Sequence, residues 1–202
     1  MILLLLISFA LLLVAMTVHE FAHGWVAYKL GDSTAKYSGR LTLNPLAHID
    51  PLGTIILPVV LFITTGGRFV FGAAKPVPIN YRALKNPKRD IIWVGLSGPA
   101  ANFIFAVFLS IAWRFMPHSA ILNFIFETII SINVLLGVFN LVPIPPLDGS
   151  RLVMGLLPDE AARRYAAIEP YGFILIIAFI GLGIFNVLIE PVVRSILSWL
   201  LI

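Results

Sequence analysis

The stretch MILLLLISFALLLVAMTVHEFAHGWVAYKL, residues 1–30, decides how the rest of the chain is read. From Ile2 to Tyr28 it is apolar and long enough to cross a bilayer, whose hydrocarbon core takes about 20 helical residues. His19, Glu20 and His23 sit in its second half. Ionisable side chains are costly in lipid, so their presence inside a membrane helix points to function rather than to packing. No basic n-region precedes the run and no small-residue cleavage site precedes His19, so it is expected to remain as a membrane helix rather than be removed as a signal peptide.

The whole sequence has the same character, with 59% hydrophobic and 12% charged residues, far from the balance of a soluble protein. Further long apolar runs occupy residues 91–116, 121–142 and 171–189. A shorter run at 55–65, interrupted by Pro58, is expected to enter the membrane without crossing it. Residues 33–43 mix polar and apolar side chains with Thr and Tyr and read as a short β-hairpin. The expected fold is thus an all-α membrane protein: a polytopic helical bundle with about four to five transmembrane segments, a small β-hairpin and a re-entrant segment. Residues 1–202 are expected to form a single membrane-embedded domain.

Net charge is only +4, but Lys and Arg gather between the apolar runs. That placement suits the lipid bilayer and its anionic headgroups, not nucleic acid. By the positive-inside rule the basic stretches 68–89 and 151–164 face the cytoplasm, and the spans between them satisfy this together. The expected location is the cell membrane, multi-pass, with the chemistry toward the cytoplasmic side. This requires the first helix to run inward, so that His23 and Asp148 share one depth.

His19-Glu-Phe-Ala-His23 is an H-E-x-x-H pattern. On a helix the i, i+4 spacing puts both imidazoles on one face, about 6 Å of rise apart, where two nitrogens can meet one Zn²⁺. Glu20 lies beside that face and can take a proton from a zinc-bound water, then deliver it to the leaving amine. The chain has no Cys, so any metal must be held by His and carboxylates. A catalytic zinc needs a third protein ligand, and His48, Asp50, Asp148, Glu160 and Glu169 are the candidates. Asp148 is favoured by its Pro-rich, Gly-flanked position at the end of a span, although that position equally suits a helix N-cap.

His19-Glu-Phe-Ala-His23 in one membrane helix, with Asn140-Leu-Val-Pro-Ile-Pro-Pro-Leu-Asp148-Gly149 ending a later one, resembles the site-2 protease family of intramembrane zinc metalloproteases. Ser97-Gly98-Pro99-Ala-Ala-Asn102 adds to the match, which covers nearly the whole chain. The resemblance implies that Asp148 is the third zinc ligand, Glu20 the acid/base, and Asn140 a group for the substrate strand or the oxyanion. It implies a transmembrane protein as substrate. Residues 44–51 and 74–78 are similar to a compact branch of the family, with no region long enough for a PDZ domain.

His48 is a possible accessory residue, read more readily as hydrogen-bonding a loop carbonyl. Gly98-Pro99 with Asn102 reads as serving close helix packing. Two other readings remain open: a metal-ion transporter using the same ligands, and a catalytically silent homologue. The scarcity of polar residues toward the outer face argues against the first, and the presence of Glu20 against the second.

Overall fold

The computed structural model describes residues 2–56, 59–60, 63, 74–117 and 119–201. Long apolar runs lacking internal turn signals become long helices: α1 (Ile2–Lys29), α3 (Pro87–Trp113) and α4 (Ala120–Asn140). A Pro-rich link then leads to α5 (Gly149–Leu156) and α6 (Asp159–Ala166), followed by α7 (Gly172–Gly181) and α8 (Ile184–Leu200). Among the described residues, four helical stretches are long and apolar enough to cross a membrane: α1, α3, α4 and Asp159–Gly181, which joins α6 to α7 through a short 3-10 turn. This is the architecture of a multi-pass membrane protein.

Two expectations need correction. The hairpin at 33–43 is absent, and among the described residues there is no strand. A single helical turn, α2 (Thr34–Tyr37), stands there instead. Asp32 Oδ1 accepts from the Thr34 N–H at 2.9 Å to start it, and the Arg40 N–H returns to the Ala35 carbonyl at 2.9 Å to end it, with Gly39 left-handed at φ 68°. The backbone groups are satisfied locally, so no partner strand is needed. The final apolar run does not continue unbroken over 171–189 either: Gly183 adopts φ 74° and ends α7 before α8 begins.

The expected re-entrant stretch, 55–65, falls mostly outside the described residues. Its surroundings are described, and the Lys75 N–H donates to the His48 carbonyl at 2.9 Å. The chain therefore leaves and returns at one place. Nearby, the Lys85 N–H reaches the Leu30 carbonyl at 2.9 Å and the Asn80 N–H reaches Asp32 Oδ2 at 2.7 Å. These bonds tie the end of α1 to the approach to α3. The C-terminal end of α1 and the N-terminal end of α3 are thereby held side by side.

Lipid tails provide no hydrophobic drive between helices, so close packing and buried hydrogen bonds must hold the bundle. One face of α4, with Ile130, Val134 and Val138, packs on Ile176 and Phe179 of α7 and Ile189 of α8. α3 crosses behind, and Pro99 within it withholds the N–H that would otherwise bond to the Gly95 carbonyl.

Candidate metal centre

One turn of α1 carries His19 and His23, both buried. Their Nε2 atoms are 3.0 Å apart. Asp148 Oδ2 lies 3.0 Å from one and 3.2 Å from the other. Asp148 occupies the N-cap position of α5, yet its side chain caps nothing and turns to the imidazoles instead. Of the two roles left open for this residue, the cap hydrogen bond is not formed, and the side chain faces the imidazoles.

The protons decide what this triangle can be. His23 Nδ1 lies 2.7 Å from the Val94 carbonyl, which can only accept, so Nδ1 carries the hydrogen. His19 Nδ1 lies 2.6 Å from Asn102 Oδ1. The Asn102 amide is oriented by its own donations, from Nδ2 to the Ala15 carbonyl at 3.2 Å and to Asn133 Oδ1 at 2.7 Å, so its oxygen is the atom that faces His19. With Nδ1 of each ring engaged in this way, both Nε2 atoms are left pointing at each other and at a carboxylate oxygen. Asp148 Oδ2 is buried and has no hydrogen-bond donor among the described residues. The three atoms converge closely enough to hold a metal ion.

The separations fit a metal. Zinc bonds of 2.0–2.1 Å in tetrahedral geometry place ligand atoms about 3.3 Å apart, close to the 3.0–3.2 Å found here. Two imidazoles and one carboxylate leave a fourth position open, the pattern of a catalytic rather than a structural site.

The centre lies in the wall of a cavity of about 470 Å³ that Glu20, Asn140, Val77 and Arg151 also line. Glu20 Oε2 accepts from the Val77 N–H at 2.7 Å. Asn140 Nδ2 donates to the Leu136 carbonyl at 3.0 Å. His48 is not part of the wall; it is buried, with Nε2 2.9 Å from the Thr42 carbonyl. At the rim, Arg151 grips Glu169 through two hydrogen bonds of 2.7 and 3.1 Å and lies over the Tyr81 ring.

The sequence model for peptidase family M50 matches residues 7–120 and 116–182. The chain belongs to this family. As an M50 member, the site-2 protease group, it is a zinc metalloprotease, and the transporter reading gives way. Among its relatives, YwhC of Bacillus subtilis is 37% identical over 91% of this chain and 84% of its own length. Rip2 of Mycolicibacterium smegmatis is 32% identical over 83% of this chain and 64% of its own. A zinc metalloprotease of Methanocaldococcus jannaschii is 25% identical over 91% and 45%. The chain thus spans most of YwhC and less than two thirds of the other two. No solved structure matches it significantly.

Several residues of this M50 site have a role here that motif reading does not reveal. Gly98 is the clearest, because a Cβ there would lie 2.4 Å from His23 Nε2 and 2.6 Å from His19 Nε2. Its absence of a side chain makes room for the centre itself and not only for helix contact. Arg151 and the Val77 N–H carry no signature that spacing could expose. Asn102 and Asn133 do leave a trace, as lone amides inside apolar runs.

Proposed function

We propose that this protease hydrolyses peptide bonds within or next to transmembrane segments of membrane-protein substrates, with His19, His23 and Asp148 holding Zn²⁺ and Glu20 moving the proton. The observation that carries this reading is the convergence of three acceptor atoms within 3.0–3.2 Å, inside a helical bundle. Counted back from the end of α1 at Lys29, the two histidines lie about 9–15 Å along the helix, below the surface of the bilayer.

Bound zinc supplies Lewis acidity, which lowers the pKa of water and polarises a carbonyl. Glu20 follows His19 on α1, and the Val77 N–H pins one of its oxygens. The second oxygen takes the proton from the attacking water and passes it to the leaving nitrogen. Asn140 Nδ2 spends one hydrogen on Leu136; its other hydrogen can donate to the oxyanion that develops on the scissile carbonyl. His48 serves the loop at 42–48, not the chemistry. The basic residues flanking the inner ends of α3 and α5 support a cytoplasmic-side active site. Residues 1–202 act as one membrane-embedded catalytic unit in this reading.

The test uses a purified, tethered transmembrane substrate in detergent. The parent protein is expected to cut it in a zinc-dependent way, whereas Glu20→Gln should retain zinc and lose cleavage by about 10²–10⁴-fold. Unchanged cleavage by Glu20→Gln would remove Glu20 from the mechanism.

A further inference from the structure

Asn102 on α3 and Asn133 on α4 are both fully buried at 0% exposure. Neither belongs to the candidate metal ligands or to the cavity wall. Their hydrogen bonds run in one direction. Asn133 Nδ2 donates to the Ile129 carbonyl of its own helix at 2.8 Å, which turns its oxygen toward α3. That oxygen accepts from Asn102 Nδ2 at 2.7 Å, and the same Nδ2 also donates to Ala15 of α1 at 3.2 Å. With both amide hydrogens taken, Asn102 Oδ1 is left facing His19 Nδ1 at 2.6 Å.

We propose that Asn102 and Asn133 are positioning residues for the metal centre: a two-amide relay across α4, α3 and α1 that keeps the proton of His19 on Nδ1 and its Nε2 lone pair on the metal. The proposal rests on the reading of His19 as a ligand. Ordinary interhelical glue would need neither a particular amide orientation nor a chain of two. Here orientation is decisive. A flipped Asn102 would set its N–H against Nδ1, drive the His19 proton to Nε2, and aim that proton into the ligand triangle. Asn133 opposes the flip, because its oxygen can only accept. Orienting partners of this kind raise ligand basicity and fix ring position, and their loss typically weakens metal binding about 10–100-fold.

The experiment measures zinc affinity of the full chain in detergent by competition with a chromophoric chelator, for the parent, His19→Ala, Asn102→Leu, Asn102→Asp and Asn133→Leu. Nitrogen NMR of labelled histidine in the metal-free parent adds a readout that needs no substitution. The relay predicts a His19 proton on Nδ1, a zinc affinity about 10–100-fold lower in Asn102→Leu, a smaller loss in Asn133→Leu, and a smaller loss in Asn102→Asp than in Asn102→Leu, because Asp keeps the acceptor oxygen while giving up the donations to Asn133 and Ala15. Equal losses in Asn102→Leu and Asn102→Asp would reduce the pair to packing and overturn the proposal. So would a metal-free parent with the His19 proton on Nε2, a result that stands even if Asn102→Leu fails to fold. If His19→Ala loses zinc while Asn102→Leu keeps parental affinity, the relay fails and the metal centre stands. If His19→Ala itself keeps parental affinity, the metal-centre reading has failed first.

Discussion

Gly98→Ala adds one methyl group to a helix, where alanine is ordinarily preferred by about 1 kcal/mol. At this position the new Cβ would lie 2.4 Å from His23 Nε2 and 2.6 Å from His19 Nε2, against an ordinary contact that begins at 3.4 Å. The shortfall is about 1 Å, and both imidazoles or α3 must move by that much. Overpacking of this size costs about 1–3 kcal/mol, which the helix preference partly offsets, so the fold should persist. The centre should not, since a displacement of about 1 Å among reacting groups costs on the order of 100-fold. Expressed as free energy that loss is about 2.7 kcal/mol. Zinc per chain after dialysis and cleavage of a tethered transmembrane substrate are the two readouts, with thermal unfolding to show that the variant is folded. Gly181→Ala is the matched control, because a Cβ there meets nothing within 4 Å. A folded Gly98→Ala protein with parental zinc content and parental cleavage would refute the placement of the histidines against α3.

Three further outcomes follow from the same geometry. Glu20→Gln should separate metal binding from turnover, keeping zinc and losing cleavage, as measured by metal analysis alongside the cleavage assay. Arg151→Ala leaves Glu169 without its two hydrogen bonds and should lower stability by about 1–2 kcal/mol, discounted for the partial exposure of the pair, with zinc retained; thermal unfolding in detergent reads it. Stripping zinc with a chelator should lower the unfolding midpoint, and restoring free zinc to 100 times its Kd should return about 2.7 kcal/mol. An unfolding midpoint indifferent to zinc would argue that no metal closes the triangle of acceptors.

Much of the ligand geometry was legible because it is local or because lipid makes polarity conspicuous. The i, i+4 spacing of His19 and His23 fixes a shared helix face without any tertiary knowledge. Asp148 was narrowed by its Pro-rich surroundings, yet only the fold shows that its side chain caps nothing and faces the imidazoles, since either arrangement uses the same backbone position. Gly98 was assigned to helix packing alone: nothing in a glycine's spacing tells which atoms approach it, and these come from a helix more than 70 residues away in sequence, as the contact between His23 and Ser97 shows. Asn102 was visible as an amide in an apolar run, but its partner His19 is 83 residues distant. The expected hairpin failed for a different reason. Thr and Tyr at 34–37 suit a strand by propensity, while the Asp32 side chain and the left-handed Gly39 complete a helical turn locally, and backbone satisfaction outweighs propensity in so short a segment. The break at Gly183 was hidden within an otherwise continuous apolar run, where hydropathy alone does not mark a turn.

Anomalous diffraction at the zinc edge tests the central claim most directly. A crystal of the purified protein should show one anomalous peak about 2.0–2.1 Å from His19 Nε2, His23 Nε2 and Asp148 Oδ2, on the side of the cavity that Glu20 lines. A zinc peak elsewhere, or a zinc-replete crystal in which Asp148 caps α5 and leaves the metal to the two histidines, would contradict it.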